Sequence, residues 1–250
     1  MSAGGEEAWL VLGGSSSIAR AFAREAAGRG HDVILAGRDV EDLERTAADL
    51  RVRFGRNALA LRFDAAAFDA HPAFVADCRR RTTGRLNVFL AFGLMPEQDG
   101  IDRDFALARA TVEANYLGAV SVLSRLAPVL EAQRGGRVVV LGSVAGDRGR
   151  LKNYAYGSAK AGLAAYVQGL AARLLRSGVA VTLVKPGPID TAMTWGLAGV
   201  AHAAAPEGLA RACLRAADRG AGTVYYPPAW RPVMAVLRAL PERLFRRLSL

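Results

Sequence analysis

The sequence predicts an α/β fold: one doubly wound domain on a seven-stranded, mostly parallel sheet with helices on both faces. Three observations predict it. Strand-like apolar runs alternate with amphipathic helical runs from end to end. The first strand leads through a glycine- and serine-rich turn directly into a helix. No linker-like or low-complexity stretch divides the 250 residues, a length that suits one domain with a sizeable core. Residues 1–228 are read as that domain and residues 229–250 as a basic, amphipathic extension of it.

Ala8 to Leu12 is the first apolar strand, Gly13-Gly14-Ser15-Ser16-Ser17 is the turn, and Ile18, Phe22 and Ala26 mark a helix face that Gly28 and Gly30 bring to an end. Backbone amides in such a turn approach a pyrophosphate closely, and the helix N-terminus attracts it. Gly13, Ser15, Ser16, Ser17 and Ile18 are therefore candidate cofactor contacts, with a plain serine-rich turn as the competing reading. The second strand, Asp32 to Ala36, ends in Gly37-Arg38-Asp39. An acid at that tip would accept the ribose hydroxyls of NAD, whereas glycine followed by arginine leaves room and charge for a 2′-phosphate. This predicts NADPH, selected by Arg38. Asp39 reads as the N-cap of a structural helix carrying Val40, Leu43, Ala47, Leu50 and Phe54.

Ala58 to Phe63 is the third strand, followed by Asp64, and Leu86 to Ala91 is the fourth, ending in Ala91-Phe92-Gly93. A long helical run from about Arg103 to Arg134 contains Asn115. Val138 to Leu141 is the fifth strand, a helix runs from about Tyr154 to Arg176, and Val179 to Val184 is the sixth strand, leading into Lys185-Pro186-Gly187-Pro188-Ile189-Asp190-Thr191. Ala192 to Ala205, rich in alanine and glycine with Met193 and Trp195, reads as a mobile lid over substrate. The last run places Val233, Val236 or Leu237, Leu240, Leu244 and Leu248 along one stripe, with Arg231, Arg238, Arg243, Arg246 and Arg247 largely elsewhere. Such a helix either lies on an anionic bilayer, with Trp230 at the interface and Pro241 as a kink, or packs its stripe on protein.

Composition narrows the function classes. A hydrophobic fraction of 52% argues against disorder, and the apolar runs are too short or too interrupted to span a bilayer. The start, MSAGGEEAWL, is acidic where a secretion signal would be basic, so a cytoplasmic protein, at most peripheral on the inner membrane, is expected. The formal charge of +10 suits an anionic partner, although an arginine-rich codon bias explains it equally well. No aromatic-and-basic repeat points to nucleic acid. Cys78 and Cys213 lack metal-ligand spacing; buried thiols and no metal are expected.

The chemistry concentrates between residues 143 and 160. Tyr156 and Lys160, at i and i+4, share a helix face. A free phenol, with pKa about 10, is a poor acid at neutral pH. A lysine ammonium roughly 5 Å away, at an effective dielectric of about 20, favours phenolate by about 3 kcal/mol, so a lowered tyrosine pKa is expected. Ser143, at the end of the fifth strand, is placed to hydrogen-bond the oxygen being protonated.

Asn115, Ser143, Tyr156 and Lys160, in that order and behind the glycine-rich turn, resemble the active site of the short-chain dehydrogenase/reductase family. The resemblance implies a Rossmann-type fold and a reaction in which Tyr156 protonates a carbonyl oxygen while NAD(P)H delivers hydride to its carbon. Ser143 would orient the carbonyl, Lys160 would hold the nicotinamide ribose, and Asn115 would support a water-linked proton path. It further implies that Asp64 meets the adenine amine, a turn-forming aspartate being the alternative, that Gly93 allows close approach of the cofactor, and that Pro186, Gly187, Ile189 and Thr191 lie at the nicotinamide. Homo-oligomerisation through the 103–134 run is inherited from the same resemblance. The chain departs from the family's TGxxxGxG turn at Leu12, Ser17 and Ala19, and its Ala91-Phe92-Gly93 lacks the asparagines usual after the fourth strand.

Within the family, LGGSSSIAR, VFLAFGLM, YAYGSAKAGL and the PAWRPVM tail are similar to the decaprenylphosphoryl-2-keto-erythro-pentose reductases. That similarity implies a lipid-linked keto-sugar substrate and a flavin oxidase partner. Arg148, Arg150 and Lys152, in the loop between Ser143 and Tyr156, are the candidate phosphate ligands, with Met193 and Trp195 also at the substrate. A general reductase of 3-ketoacyl, steroid or other small carbonyl compounds, and a non-catalytic NADPH-binding partner of an oxidase, are the other two readings.

Overall fold

The structure, a computed structural model, describes residues 7–194 and 203–247. In chain order its elements are β1 (Glu7–Leu12), α1 (Ser17–Gly28), β2 (Asp32–Gly37), α2 (Val40–Phe54), β3 (Ala58–Arg62), α3 (His71–Arg80), β4 (Arg85–Leu90), α4 (Gln98–Arg103), α5 (Phe105–Val112), α6 (Gly118–Ala132), β5 (Gly136–Leu141), α7 (Tyr154–Leu175), β6 (Val179–Pro186), α8 (Pro206–Asp218), β7 (Thr223–Tyr226), α9 (Trp230–Ala239) and α10 (Glu242–Phe245). The strands form one sheet in the order β3-β2-β1-β4-β5-β6-β7, and every neighbouring pair is parallel. No described helix is long and apolar enough to cross a membrane.

Because strand side chains alternate between faces, each apolar strand feeds two cores. Leu10 and Leu12 of β1 face a core closed by α3, α6 and α7, while Trp9 and Val11 face one closed by α1, α2 and α8. The second core is centred on Phe22, stacked on Phe89 at 3.8 Å between ring centroids and meeting the edge of Trp9 at 4.9 Å. Burying an aromatic side chain of this kind is worth roughly 2–3 kcal/mol relative to leaving it exposed. Cys78 and Cys213 are free, buried thiols in these two cores. The strand order reverses beside β1, so the crevice for a ligand opens at the carboxyl ends of β1 and β4.

Two expectations need correction, and the expected seventh strand gains a position. The 103–134 run is not one helix. Asp104 adopts extended backbone between α4 and α5, and its carboxylate accepts from the Ala106 amide, capping α5. Residues Glu113–Leu117 then form a π-helical turn around Asn115 before α6 begins. The seventh strand, which had no assigned position in the sequence, is β7, a short edge strand whose residues are half-buried or exposed. The tail is helical and basic, but it buries different residues. Met234 and Phe245 are inside, whereas Val233, Val236 and Leu244 of the expected stripe are exposed, and Leu248 lies outside the described residues. The tail's register is set by the β5–α7 loop, where Arg148 lies over the Phe245 ring at 4.0 Å and Arg150 meets the Met234 sulfur at 3.4 Å.

Candidate active site

The crevice begins at Gly13, where the chain leaves β1 with φ +85, a conformation that favours glycine. A Cβ there would stand 2.7 Å from the Phe92 amide nitrogen, so the turn after β1 and the segment after β4 touch backbone to backbone. Helix α1 starts at Ser17, and its cap is Ser16, whose hydroxyl accepts from the Ala19 amide at 3.2 Å. Ser17, a candidate cofactor contact, is the first helical residue and is exposed, as is Ser15; Ile18 is half-buried. Arg38 is exposed past β2 and has no hydrogen-bond or ion-pair partner among the described residues. This open turn, helix N-terminus and free cation fit a dinucleotide carrying a 2′-phosphate.

Asp64 spends one carboxylate oxygen on the Ala66 amide at 3.0 Å, and its backbone carbonyl meets buried His71 at 2.9 Å. His71 in turn meets Ser121 at 2.8 Å, which ties the loop after β3 to α6. Asn115 is buried, and its side chain is spent on backbone: Nδ2 donates to the Leu94 carbonyl at 2.6 Å and the Thr111 carbonyl at 2.9 Å, while Oδ1 accepts from the Leu94 amide. It thereby holds the segment after β4. A Cβ on Gly93 would sit 2.7 Å from Asn115 Oδ1 and 3.7 Å from Lys160 Nζ, so the floor of the site is closed to any larger residue.

Ser143 leaves β5 and caps the short turn Val144–Gly146, accepting from the Ala145 amide at 3.1 Å. That turn is pressed onto α7 through two glycines. A Cβ on Gly146 would meet the Lys160 backbone at 2.8 Å, and one on Gly157 would meet the Ala145 carbonyl at the same distance. Close packing therefore brings Ser143 to Tyr156. The N-terminus of α7 has no side-chain cap of its own; buried Gln98 of α4 accepts from the Ala155 amide at 3.1 Å. Lys160 reaches across to donate to the Leu141 carbonyl at 3.1 Å, its ammonium 5.7 Å from the centre of the Tyr156 ring.

The electrostatics correct the expected tyrosine shift. Burial pushes the Tyr156 phenol up to about 12, against the lowering effect of its hydrogen bond with Ser143. Burial also brings the Lys160 ammonium down to about 8. Desolvation outweighs the attraction expected between the two groups, so Tyr156 is held protonated at neutral pH, the form a proton donor requires. The lysine destabilises the fold at neutral pH. Its unfolded value of 10.5 lies above its folded one, so between about 8 and 10.5 the unfolded chain holds a proton the fold has released, and stability rises with pH. Tyr156 acts in the opposite direction above pH 10. Lys160→Met is expected to stabilise the protein by roughly 3 kcal/mol at pH 7 and to flatten the rise above pH 8. Denaturant unfolding of both proteins at the two ends of that range checks this; a variant no more stable than the parent at pH 7 would contradict it.

One arrangement escaped the sequence reading. Asp147, directly after the Ser143 turn, forms an ion pair with Lys185 at the end of β6 and accepts from the Tyr225 hydroxyl of β7 at 2.8 Å. Both charged side chains are buried, Asp147 to 2% and Lys185 to 10% exposure. The Ser143 turn is thus held between α7 on one side and the ends of β6 and β7 on the other. An isolated lysine before Pro186-Gly187 was the available signal, but its partner lies 38 residues away.

The remaining sites divide. Gly187 lies under Trp230, whose indole nitrogen would stand 2.0 Å from an added Cβ. Pro186 and Thr191 are half-buried, and the Thr191 amide and hydroxyl are turned onto Thr194. Ile189 is buried against the α8 core and bridges Ala204, which makes it a packing residue. Met193 is exposed; Trp195 and most of the expected lid lie outside the described residues. Arg148 is corrected as a phosphate ligand: its Nη1 donates to the Leu237, Arg238 and Leu240 carbonyls, closing the end of α9. Arg150 is half-buried on the Val144 carbonyl and Met234, while Lys152 is exposed without a described partner.

A family model described as short chain dehydrogenase matches residues 7–199. An uncharacterized oxidoreductase of Mycobacterium tuberculosis is 36% identical over 239 residues, covering 96% of each chain. A bovine 3-oxoacyl-[acyl-carrier-protein] reductase is 31% identical over 192 residues, covering 74% of this chain and 76% of that one. Among solved structures, a short-chain dehydrogenase from Sphingobium yanoikuyae in complex with NADPH superposes with a TM-score of 0.81 at 25% identity, covering 94% of this chain and 97% of the other.

Proposed function

The chain belongs to the short-chain dehydrogenase/reductase family, and from that premise we propose that it reduces the ketone of a polyprenyl-phosphoryl 2-keto pentofuranose to the arabinose form in cell-envelope polysaccharide synthesis. It is an NAD(P)-dependent oxidoreductase, and NADPH is its cofactor. The observation that carries the chemistry is the buried Tyr156 phenol, one helical turn from Lys160 and on the helix that packs against the Ser143 turn. Bound nicotinamide supplies the hydride that reaches the carbonyl carbon. Ser143 orients the carbonyl oxygen, and Tyr156 gives that oxygen its proton. Lys160 places positive charge below the phenol as phenolate develops, stabilising it in a water-poor site. Asn115 and Gly93 position the floor on which Lys160 rests.

The keto-sugar reading draws support from the similarity of the turn, the Tyr156 helix and the tail to the keto-pentose reductases, and from cations beside the site. With Arg148 engaged, Lys152, which has no partner among the described residues, is the loop cation left for a phosphate. The ketone itself must come from oxidation of the corresponding secondary alcohol, the step assigned to a flavin oxidase partner. A second reading, a reductase of 3-ketoacyl or other small carbonyl compounds, is favoured by the bovine relative. The test is NADPH consumption with a short-chain polyprenyl-phosphoryl 2-keto pentose, a 3-ketoacyl thioester and a simple diketone. Selective turnover of the keto-sugar is expected; turnover of the other two alone would replace the first reading by the second. In the same assay Arg38→Asp should lose the preference for NADPH over NADH by about tenfold or more, since a charge-assisted contact to phosphate is worth roughly 1.5–3 kcal/mol. An unchanged preference would remove Arg38 as the selector.

A further inference from the structure

We propose that the outer face of α9 and α10 docks the protein on an anionic lipid bilayer, with the mouth of the active site against the membrane. The inference deepens the reading of a lipid-linked substrate and rests on it for its purpose, while the docking itself stands on the tail.

The inner side of the tail is fastened to both walls of the site. Trp230 lies on Gly187, Met234 is buried, and Arg148 and Arg150 of the Ser143–Tyr156 loop hold the end of α9, Phe245 and Met234. The outer side is left apolar and cationic. Val233, Val236 and Leu244 are 44%, 62% and 53% exposed, and the first two are three residues apart, on one side of the helix. The tail carries five arginines against one acid, Glu242, which is paired with Arg246. Arg238 interacts with Tyr225, but Arg231, Arg243 and Arg247 are exposed with no described partner. Exposed apolar side chains on a tail that also exposes unpaired arginines fit an interface of acyl chains beneath anionic headgroups. No described helix spans a membrane, so the contact is a surface one, and the rigid fastening to the catalytic loop carries the site to that surface.

The experiment uses the full chain with phosphatidylcholine vesicles, with and without phosphatidylglycerol. The parent is expected to sediment with the anionic vesicles and to stay in solution with the neutral ones. Arg243→Gln with Arg247→Gln should weaken partition by about 30-fold, at roughly 1 kcal/mol for each basic residue near such a surface. Val236→Glu with Leu244→Glu should abolish partition while NADPH, titrated by fluorescence, still binds with the parent's affinity, which shows that the variant is folded. No sedimentation of the parent, or equal sedimentation of parent and both variants, overturns the proposal. So does a fall in molar mass of the Val236→Glu, Leu244→Glu protein by light scattering, which would make the stripe a contact between copies of the chain. Sedimentation needs no keto-sugar, so its failure is distinct from failure of the substrate assay.

Discussion

Replacing Tyr156 by phenylalanine is expected to lower reductive turnover by roughly a thousandfold while NADPH still binds with nearly the parent's affinity, because a positioned general acid contributes about 10²–10⁴ in rate. The substitution removes one oxygen from a side chain whose ring is buried and whose backbone belongs to the long helix α7, so the fold has little reason to change. What it removes is the hydroxyl proposed as the proton donor. Burial keeps that phenol protonated well past neutral pH. The measurement is single-turnover reduction beside a fluorescence titration with NADPH. Loss of turnover with retained binding separates chemistry from cofactor affinity. Turnover within tenfold of the parent would mean another group supplies the proton, and would also reopen the non-catalytic reading for the buried tyrosine.

Lys185→Met is expected to cost about 3–5 kcal/mol of stability, because it leaves the Asp147 carboxylate buried without its cation. For a domain of this length that is a fall in Tm of about 10 °C. Asp147→Asn combined with Lys185→Met should recover most of the loss, since two neutral groups no longer need each other in a dry site. Turnover discriminates further. If the pair fixes the Ser143 turn between α7 and the ends of β6 and β7, kcat in the double variant stays depressed although its stability has returned, and KM for NADPH stays close to the parent value. A double variant that recovers both stability and kcat would reduce the pair to a structural tie. A single variant as stable as the parent would show that the ion pair contributes little and that Tyr225 alone satisfies Asp147.

Much of the architecture was legible because it depends on patterns local in sequence. The apolar runs that became β1, β2, β4, β5 and β6 are bounded by turn residues, and the capping aspartate of α2 sits directly before its helix. Strand β7 was not legible: an edge strand has few buried neighbours to impose an apolar pattern, and Thr223–Tyr226 looks like ordinary loop. The break at Asp104 was hidden for a related reason, since the helical spacing continues on both sides of it and only the cap shows where one helix ends. In the tail the periodicity was real but its sense was not decided. A stripe tells that a helix has two faces; whether Met234 or Val236 goes inward was settled by arginines contributed from residues 148 and 150.

The amino-acid sequence by itself determined the fold class and the shared helix face of Tyr156 and Lys160, because strand alternation, helix spacing and the i, i+4 relation are properties of the chain alone. The tertiary structure decided the charge states and the free hands. It showed burial overruling the lysine in setting the tyrosine pKa, Arg148 withdrawn from the mouth of the site to close α9, and Asp147 locked to Lys185. These outcomes depend on desolvation and on partners far apart in sequence, and both quantities exist only once the chain has closed around them.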